Sequence, residues 1–466
     1  MRLFERELRL TSPESGHGLL AHLARSVKAR LGEHESPVRF VVSSKEPDGS
    51  LLCEMGVLAA QAAPDIHGAN AFPSIFEFRK RPFENAEKFR VVLLVPTGIN
   101  ATFGGHAGDA GPLARLLAGT CDTLITHPNV VNGSDINEIP DNALYVEGSV
   151  ICRMLMGTAG LRPVRSNRVL VVIDRHEEVA YSNAAINAVN AARACYGFDC
   201  PRILMLDPGV QLVSTYTATG RAAGRVERLG PFLEAVRPYL NECDAVAVSS
   251  VIEVPSDYHQ DYFDSSGNMV NPWGGVEAIF THALSLLCGL PSAHSPMIES
   301  EEVESADPGV VDPRMAAEAV SITFLQSVLK GLHRSPRVET DPRAMESSSI
   351  LTARDVSCLV IPDGCLGLPT LAALEQGIPV IAVRDGNLMN NDLESLPWAP
   401  GQFRVVDNYL EAAGLLCAMR GGLALDSLRR PIQGVPVVTV STRTRDRQSR
   451  IRTNGRHEPA TILECK

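Results

Sequence analysis

The chain has no Cys-x-x-Cys pair, few aromatic residues, no long apolar run and no excess of basic charge. Its 11 cysteines are scattered singly along 466 residues. An odd count without pairing motifs reads as reduced thiols, mostly buried, and not as a disulfide framework. Aromatics make up 5% of the residues, whereas Gly, Ala, Val and Leu are plentiful, a mix that suits α/β architecture better than a β-sandwich. No stretch approaches the roughly 18 consecutive apolar residues of a membrane span. The N-terminal MRLFERELRL is charged throughout and has no apolar signal core, so the sequence predicts a cytoplasmic protein with no membrane partner. Lys and Arg number 43 against 54 Asp and Glu, a formal net charge of −11. That balance excludes a broad basic surface, and no nucleic-acid partner is expected. The one basic cluster (Arg443, Arg445, Arg447, Arg450, Arg452 and Arg456) lies in a polar terminal segment and reads as a solvated, disordered tail.

What is present is an ordinary soluble composition, 45% hydrophobic and 21% charged, on a chain too long for one typical core. From residue 90 onward, runs rich in Val, Ile and Leu recur at 91–95, 123–126, 169–173, 203–206, 244–248, 357–361 and 378–383. Most are uninterrupted rather than alternating, as in strands buried on both faces. Helical spacing at 112–119, 183–195, 230–240 and 369–376 separates several of them, which is the pattern of βαβ units. Longer helices are expected over 275–288 and 314–332, and the polar stretches 253–272 and 291–313 read as loops. The expected fold class is α/β, with Rossmann-like, mostly parallel sheets in two halves flanking a cleft. The boundaries read from composition are a small α+β region at 1–85, a Rossmann-like domain at 86–335, a second such unit at 336–430 and the tail at 431–466.

Chemistry concentrates in four segments. After the strand at 91–95 comes PTGINATFGGHAGDAG, followed by a helix from Pro112. Glycine freedom beside a helix N-terminus makes a cradle for phosphate or carboxylate, with Asn100, Thr102, Gly104 and Gly105 as binding candidates. The spacing is neither GxGxxG with an acidic ribose reader nor GxxxxGK[ST], so there is no NAD or ATP fingerprint. His106 and His127, at two neighbouring strand ends, are the expected acid–base residues, with Asp109 or Glu147 orienting one of them. Together these four also offer donors for a divalent metal, though their spacing matches no short metal motif. Asn129 and Asn132 follow His127 in HPNVVN and would face the ligand.

The third segment, NPWGGVEA, places Asn271, Gly274, Gly275 and Glu277 at a helix start, with His282 further along the helix. The fourth, IPDGCLGLPT, carries Asp363, Gly364, Cys365, Gly367 and Thr370 between a strand and a Pro-led helix, and Arg384 ends the next strand. Cys365 aimed at a helix N-terminus would have a lowered thiol pKa and serve as nucleophile or acid. Arg384 would close on an anion from the other side. Thr370 and Glu375 resemble the C-terminal half of GT-B glycosyltransferases and sugar-nucleotide 2-epimerases over about thirty residues, which implies a phosphate loop and a ribose-binding Glu. There is no GxSxG, HExxH or kinase set.

The motifs PTGINATFGGHAGDAG, LITHPNVVNG, NALYVEG, NPWGGVEA and IPDGCLGLPT, in that order across about 90–390, resemble a domain-of-unknown-function family found in cyanobacteria, plastids and other bacteria. The resemblance implies that the polar loops belong to one assembled site and brings no named reaction. The expected function is acid–base or group-transfer chemistry (lyase, isomerase or transferase type) on a small anionic metabolite. A GT-B-like sugar-nucleotide enzyme and a non-catalytic small-molecule sensor are the alternatives. A homo-oligomer is an open expectation.

Overall fold

The computed structural model describes residues 1–13, 18–60, 74–99, 101–217, 220–255, 258–265, 267–305, 307–321, 323–386 and 391–440. Asn100 and the basic cluster at 443–456 lie outside the described residues. Met1–Leu423 form one contact unit and Ala424–Lys466 another. In the second unit the described residues comprise a short turn at Leu425–Leu428 and exposed chain beyond it.

Two sheets organise the first unit, which is mixed α/β. The six-stranded sheet runs Phe403–Val406, Val380–Val383, Cys358–Pro362, Arg90–Leu93, Thr123–Thr126 and Ala143–Tyr145, all parallel. Its central strands are fully buried through Val91, Val92, Leu93, Leu359 and Val360. Each such side chain contributes about 2 kcal/mol when removed from water, which explains why these runs carry no polar alternation. Residues 358–406 supply one side of this sheet and residues 90–145 the other, joined where Cys358–Pro362 pairs with Arg90–Leu93, all within one contact unit.

The ten-stranded sheet is mixed. Val169–Asp174 pairs in parallel with Ile203–Leu206 and Ala245–Glu253, and Ala245–Glu253 pairs in parallel with Ser292–Met297. Gln211–Tyr216 also pairs in parallel with Ala245–Glu253, and from it the sheet continues antiparallel through Ala222–Glu227, Arg2–Thr11, Ser50–Ala59, Glu35–Lys45 and Leu366–Gly367.

Several expectations are corrected. Arg2–Thr11, for which no element was expected, is a strand that buries Leu8 and Leu10 on one face and Leu3 on the other. The loop expected at 291–313 contains the Ser292–Met297 strand and a helix at Glu301–Ser305, and the loop at 253–272 contains the Tyr258–Asp264 helix. The helix expected over 314–332 is broken into Ala316–Ala319 and Leu325–His333, with Phe324 at a left-handed φ of 49° between them. Asp135 holds the second piece in place: its carboxylate accepts the hydroxyls of Ser321 and Thr323 and the Gln326 amide at 2.9 Å. The acid that followed HPNVVN is thereby a helix anchor.

Candidate functional site

A cavity of about 500 Å³ lies at the carboxyl ends of the six-stranded sheet. Leu94, Pro96 and Thr97, after the Arg90–Leu93 strand, line it together with Ile361 and Cys365 from the neighbouring Cys358–Pro362 strand and its loop. From the first of these strands the chain moves to Thr123–Thr126 on one side. From the second it moves to Val380–Val383 on the other. Connections that diverge this way leave a crevice at the ends of parallel strands. The facing wall comes from the Gly274–Cys288 helix and the Ser292–Met297 strand.

The four segments singled out in the sequence meet at this cavity. Thr97 and Ala107 represent the first glycine loop, and His127, Asn129 and Asn132 the next strand end. Asn271, Gly274 and Glu277 come from the third segment, and Cys365, Gly367 and Thr370 from the fourth.

Glu147 is the best-anchored group in the wall. It caps the Gly148–Leu155 helix, accepting the Ser149 amide at 3.0 Å, the Val150 amide at 3.3 Å and the Ser149 hydroxyl. Amides and helix dipole both favour a carboxylate there. Its Oε1 accepts His282 Nε2–H at 3.1 Å. Burial alone would raise its pKa, but His282 and the Ser149 bonds hold the carboxyl down at about 2, so it is ionised. His282 therefore keeps its proton on Nε2 when neutral and presents a lone pair on Nδ1, which is buried without a hydrogen-bond partner.

His127 is placed differently from the expectation of a base near neutrality. Its Nε2 accepts the Val95 amide at 3.0 Å, so the neutral ring carries its proton on Nδ1. Burial pushes its pKa down to about 4, and the neighbouring His282 adds to this while Glu147 opposes it. His127 is thus a neutral hydrogen-bond donor. Glu147 orients His282 and not His106.

Two further networks reach the cavity. His294 Nδ1 lies 3.1 Å from Glu277 Oε1, and its Nε2 lies 2.9 Å from the Ser250 hydroxyl. This is a Ser–His–acid order, but Ser250 is fully buried in its strand and does not line the cavity. Glu277 and His294 both line the cavity, and Ser250 holds His294 from behind. In the other network Tyr262 donates its hydroxyl to Glu318 Oε2 at 2.8 Å and lies 2.6 Å from His106 Nδ1. Asn271 donates to Glu318 Oε1 at 3.3 Å while its own carbonyl oxygen accepts the Trp273 and Gly274 amides. Burial raises the Glu318 pKa to about 7, and Glu318 lines the cavity. His106 does not line it, and burial lowers its pKa to about 4.

The first glycine loop is not an open anion cradle. The amides of Gly111, Leu113 and Ala114 at the helix start donate to Gly108 and Ala110 carbonyls, and Pro112 has none. Asp109 accepts the Gly104 amide at 2.6 Å and Asn129 donates to the Gly104 carbonyl at 2.9 Å, so the Gly104 peptide is latched at both ends. Gly104 itself must be glycine: its φ is 76° and a Cβ would lie 2.7 Å from Val95 Cγ1. Asn129→Ala should destabilise the protein by about 1–2 kcal/mol in urea unfolding by leaving that carbonyl unpaired. An unchanged midpoint would show the latch to be idle.

The other candidates divide as follows. Gly105 packs its backbone against Ala101, and Thr102 is exposed; neither lines the cavity. Gly275 packs against the Ala222 carbonyl, where a Cβ would come within 2.5 Å. Asp363 caps Gly364, whose carbonyl accepts Asn391, and neither faces the cavity. Arg384 is exposed and paired with Asp407 at 2.6 Å, so it does not close on a ligand. Burial raises the Cys365 thiol to about 12, opposite to the expected activation, because no cation or free amide compensates. Glu375 does not line the cavity either. Among the described residues, no group of three or more His, Cys, Asp and Glu is placed to hold a metal.

Sequence reasoning named His282 without giving it a role and passed over His294, Tyr262 and Glu318. The available signal was only that His282 and Glu277 share one helix after NPWGG.

Residues 90–429 match the family described as "Protein of unknown function (DUF3326)". The chain is 33% identical over 348 residues to an uncharacterized lipoprotein of Synechococcus sp., covering 71% of this chain and 91% of that one. No solved structure matches. The lipoprotein designation of this relative overturns the expectation of a cytoplasmic protein. Among the described residues, no helix is long and apolar enough to cross a membrane. Matched over most of its length by the family and by a relative at this identity, the chain belongs to the DUF3326 family of proteins of unknown function.

Proposed function

We propose that this protein is an enzyme that moves protons on a small anionic metabolite, in a lyase, isomerase or transferase type of reaction. The observation that carries the reading is the Glu147–His282 pair in the cavity wall, with His282 Nδ1 left unpartnered. An ionised carboxylate fixes the imidazole's orientation and stabilises the imidazolium once Nδ1 takes a proton from the substrate. His127 Nδ1–H, on the neighbouring strand end, is suited to polarise a substrate oxygen as charge develops there. Glu318 and Glu277 are further carboxyls lining the same cavity, the former able to exchange a proton near neutrality. The position at the diverging strand ends supports reading the two sheets as Rossmann-like halves around a cleft. The designation of the Synechococcus relative supports placing this activity at the cell envelope.

The test is conversion of pooled phosphorylated and carboxylated metabolites by the purified chain, read by mass spectrometry. His282→Ala and Glu147→Gln should each lower conversion by at least about 100-fold while circular dichroism stays unchanged. His127→Ala should abolish turnover with the fold retained. Wild-type conversion in the folded His282→Ala and Glu147→Gln proteins would sink the assignment, as would conversion of nothing in the panel.

A further inference from the structure

The Gly148–Leu155 helix turns one face to the cavity and the other to the core. Val150, Ile151, Met154 and Leu155 are buried in apolar surroundings, whereas Ser149, Cys152 and Arg153 line the cavity. Ser149 and Arg153 are one turn apart and share that face. Arg153 is only 7% exposed, and no hydrogen bond among the described residues holds its guanidinium. Among the described residues, Nε and Nη2 are buried with no hydrogen-bond partner. Burial pulls its pKa down, and the charge of Glu147 offsets this only from a distance, since no salt bridge joins the two. The Glu147 carboxylate is already occupied by Ser149, Val150 and His282.

A buried guanidinium with unfilled donors is costly, because each unmade bond forfeits the hydration it gave up. The other arginine lining the cavity, Arg39, is committed to Glu5 at 3.1 Å and Glu54 at 3.5 Å. No lysine is among the lining residues. The helix start after the first glycine loop has spent its amides internally, and Arg384 is tied to Asp407. Among the described lining residues, Arg153 is therefore the one strong cation whose bonds remain to be made.

We infer that Arg153 is the anion receptor of the cavity and that the ligand presents it a carboxylate or a phosphate, held by two parallel N–H···O bonds. This rests on the enzymatic reading above for what the ligand undergoes, but not for whether it binds. The planar fork of arginine matches two oxygens of such a group, a geometry that lysine lacks. Bound there, the anionic group would be held in the same cavity as the Glu147–His282 pair, so that one end of the substrate is clamped while His282 works on the other.

The test is calorimetric titration of the full chain with inorganic phosphate and, separately, with malonate, against chloride at matched ionic strength. The wild type should bind at least one of the two oxyanions and respond to neither chloride nor ionic strength alone. Preference between phosphate and malonate identifies the group. Arg153→Met should weaken that binding by at least 10-fold. Arg153→Lys keeps the buried charge and guards against a variant that fails to fold; it should also lose most of the binding because the fork is gone. Arg384→Met, at the exposed arginine tied to Asp407, should bind the anion as the wild type does, and oxyanion binding without conversion of any metabolite would leave this proposal standing while the catalytic one falls. Wild-type affinity in folded Arg153→Lys overturns the proposal, and so does a wild type that binds neither oxyanion.

Discussion

Asp174→Asn will stabilise this protein, and the gain will grow with pH. Asp174 ends the Val169–Asp174 strand and is almost fully buried. Neither carboxylate oxygen has a well-formed hydrogen bond, and Gly209 packs so tightly that a Cβ there would lie 2.1 Å from the carboxyl carbon. Burial raises the pKa to about 8, with the Val210 amide and Arg228 offsetting it only in part. The unfolded chain ionises this carboxyl near 4. Below that pH both states hold the proton and the aspartate carries no penalty. Between about pH 4 and 8 the folded state keeps a proton that the unfolded state has released, so stability falls as pH rises. Asparagine has the same shape and no such titration. The difference between the two proteins should be near zero at pH 4 and reach about 5 kcal/mol in favour of asparagine at pH 8.5, in urea unfolding. A pH-independent difference would mean that the carboxylate is solvated in the folded state.

Gly331→Ala will destabilise the protein even though it improves the local helix. Gly331 lies inside the Leu325–His333 helix, where alanine is intrinsically favoured by about 1 kcal/mol. A Cβ at this position would sit 2.4 Å from Cε2 and 2.5 Å from Cζ of Tyr145. The ring has nowhere to go. Its hydroxyl accepts Asn132 Nδ2–H at 2.7 Å, and the Ser335 hydroxyl donates to the Tyr145 backbone carbonyl at 2.7 Å. Overpacking should outweigh propensity and leave a net loss of about 3 kcal/mol. Since Asn132 lines the cavity, anion binding in the surviving folded fraction should weaken as well. Stability at or above wild type in thermal and urea unfolding would show that the helix shifts freely.

Both predictions turn on contacts between residues far apart in the chain, and the same division runs through the whole molecule. The sequence by itself determined the mixed α/β class and four of the six parallel strands of one sheet, because uninterrupted apolar runs and helical spacing follow from backbone geometry and burial on both faces, and its motifs determined the family. It also marked four polar segments that the fold gathers around one cavity, since loops at strand ends carry what the buried strands cannot. It did not determine which partner each charged group would find. Glu147 reads in sequence as a partner for a nearby histidine, yet its neighbour in space is His282, brought by a helix of the other wall. Asp109 reads as a residue orienting a catalytic histidine and Asn129 as a ligand contact, yet they close the Gly104 peptide. Arg153 carries no local signal in the sequence, and only the packed structure shows its donors buried and unmatched. Local pattern is set by the period of the backbone, whereas hydrogen-bond partners and pKa depend on what long-range packing brings within about 3 Å. That is why the architecture is legible in one dimension and the chemistry of this cavity only in three.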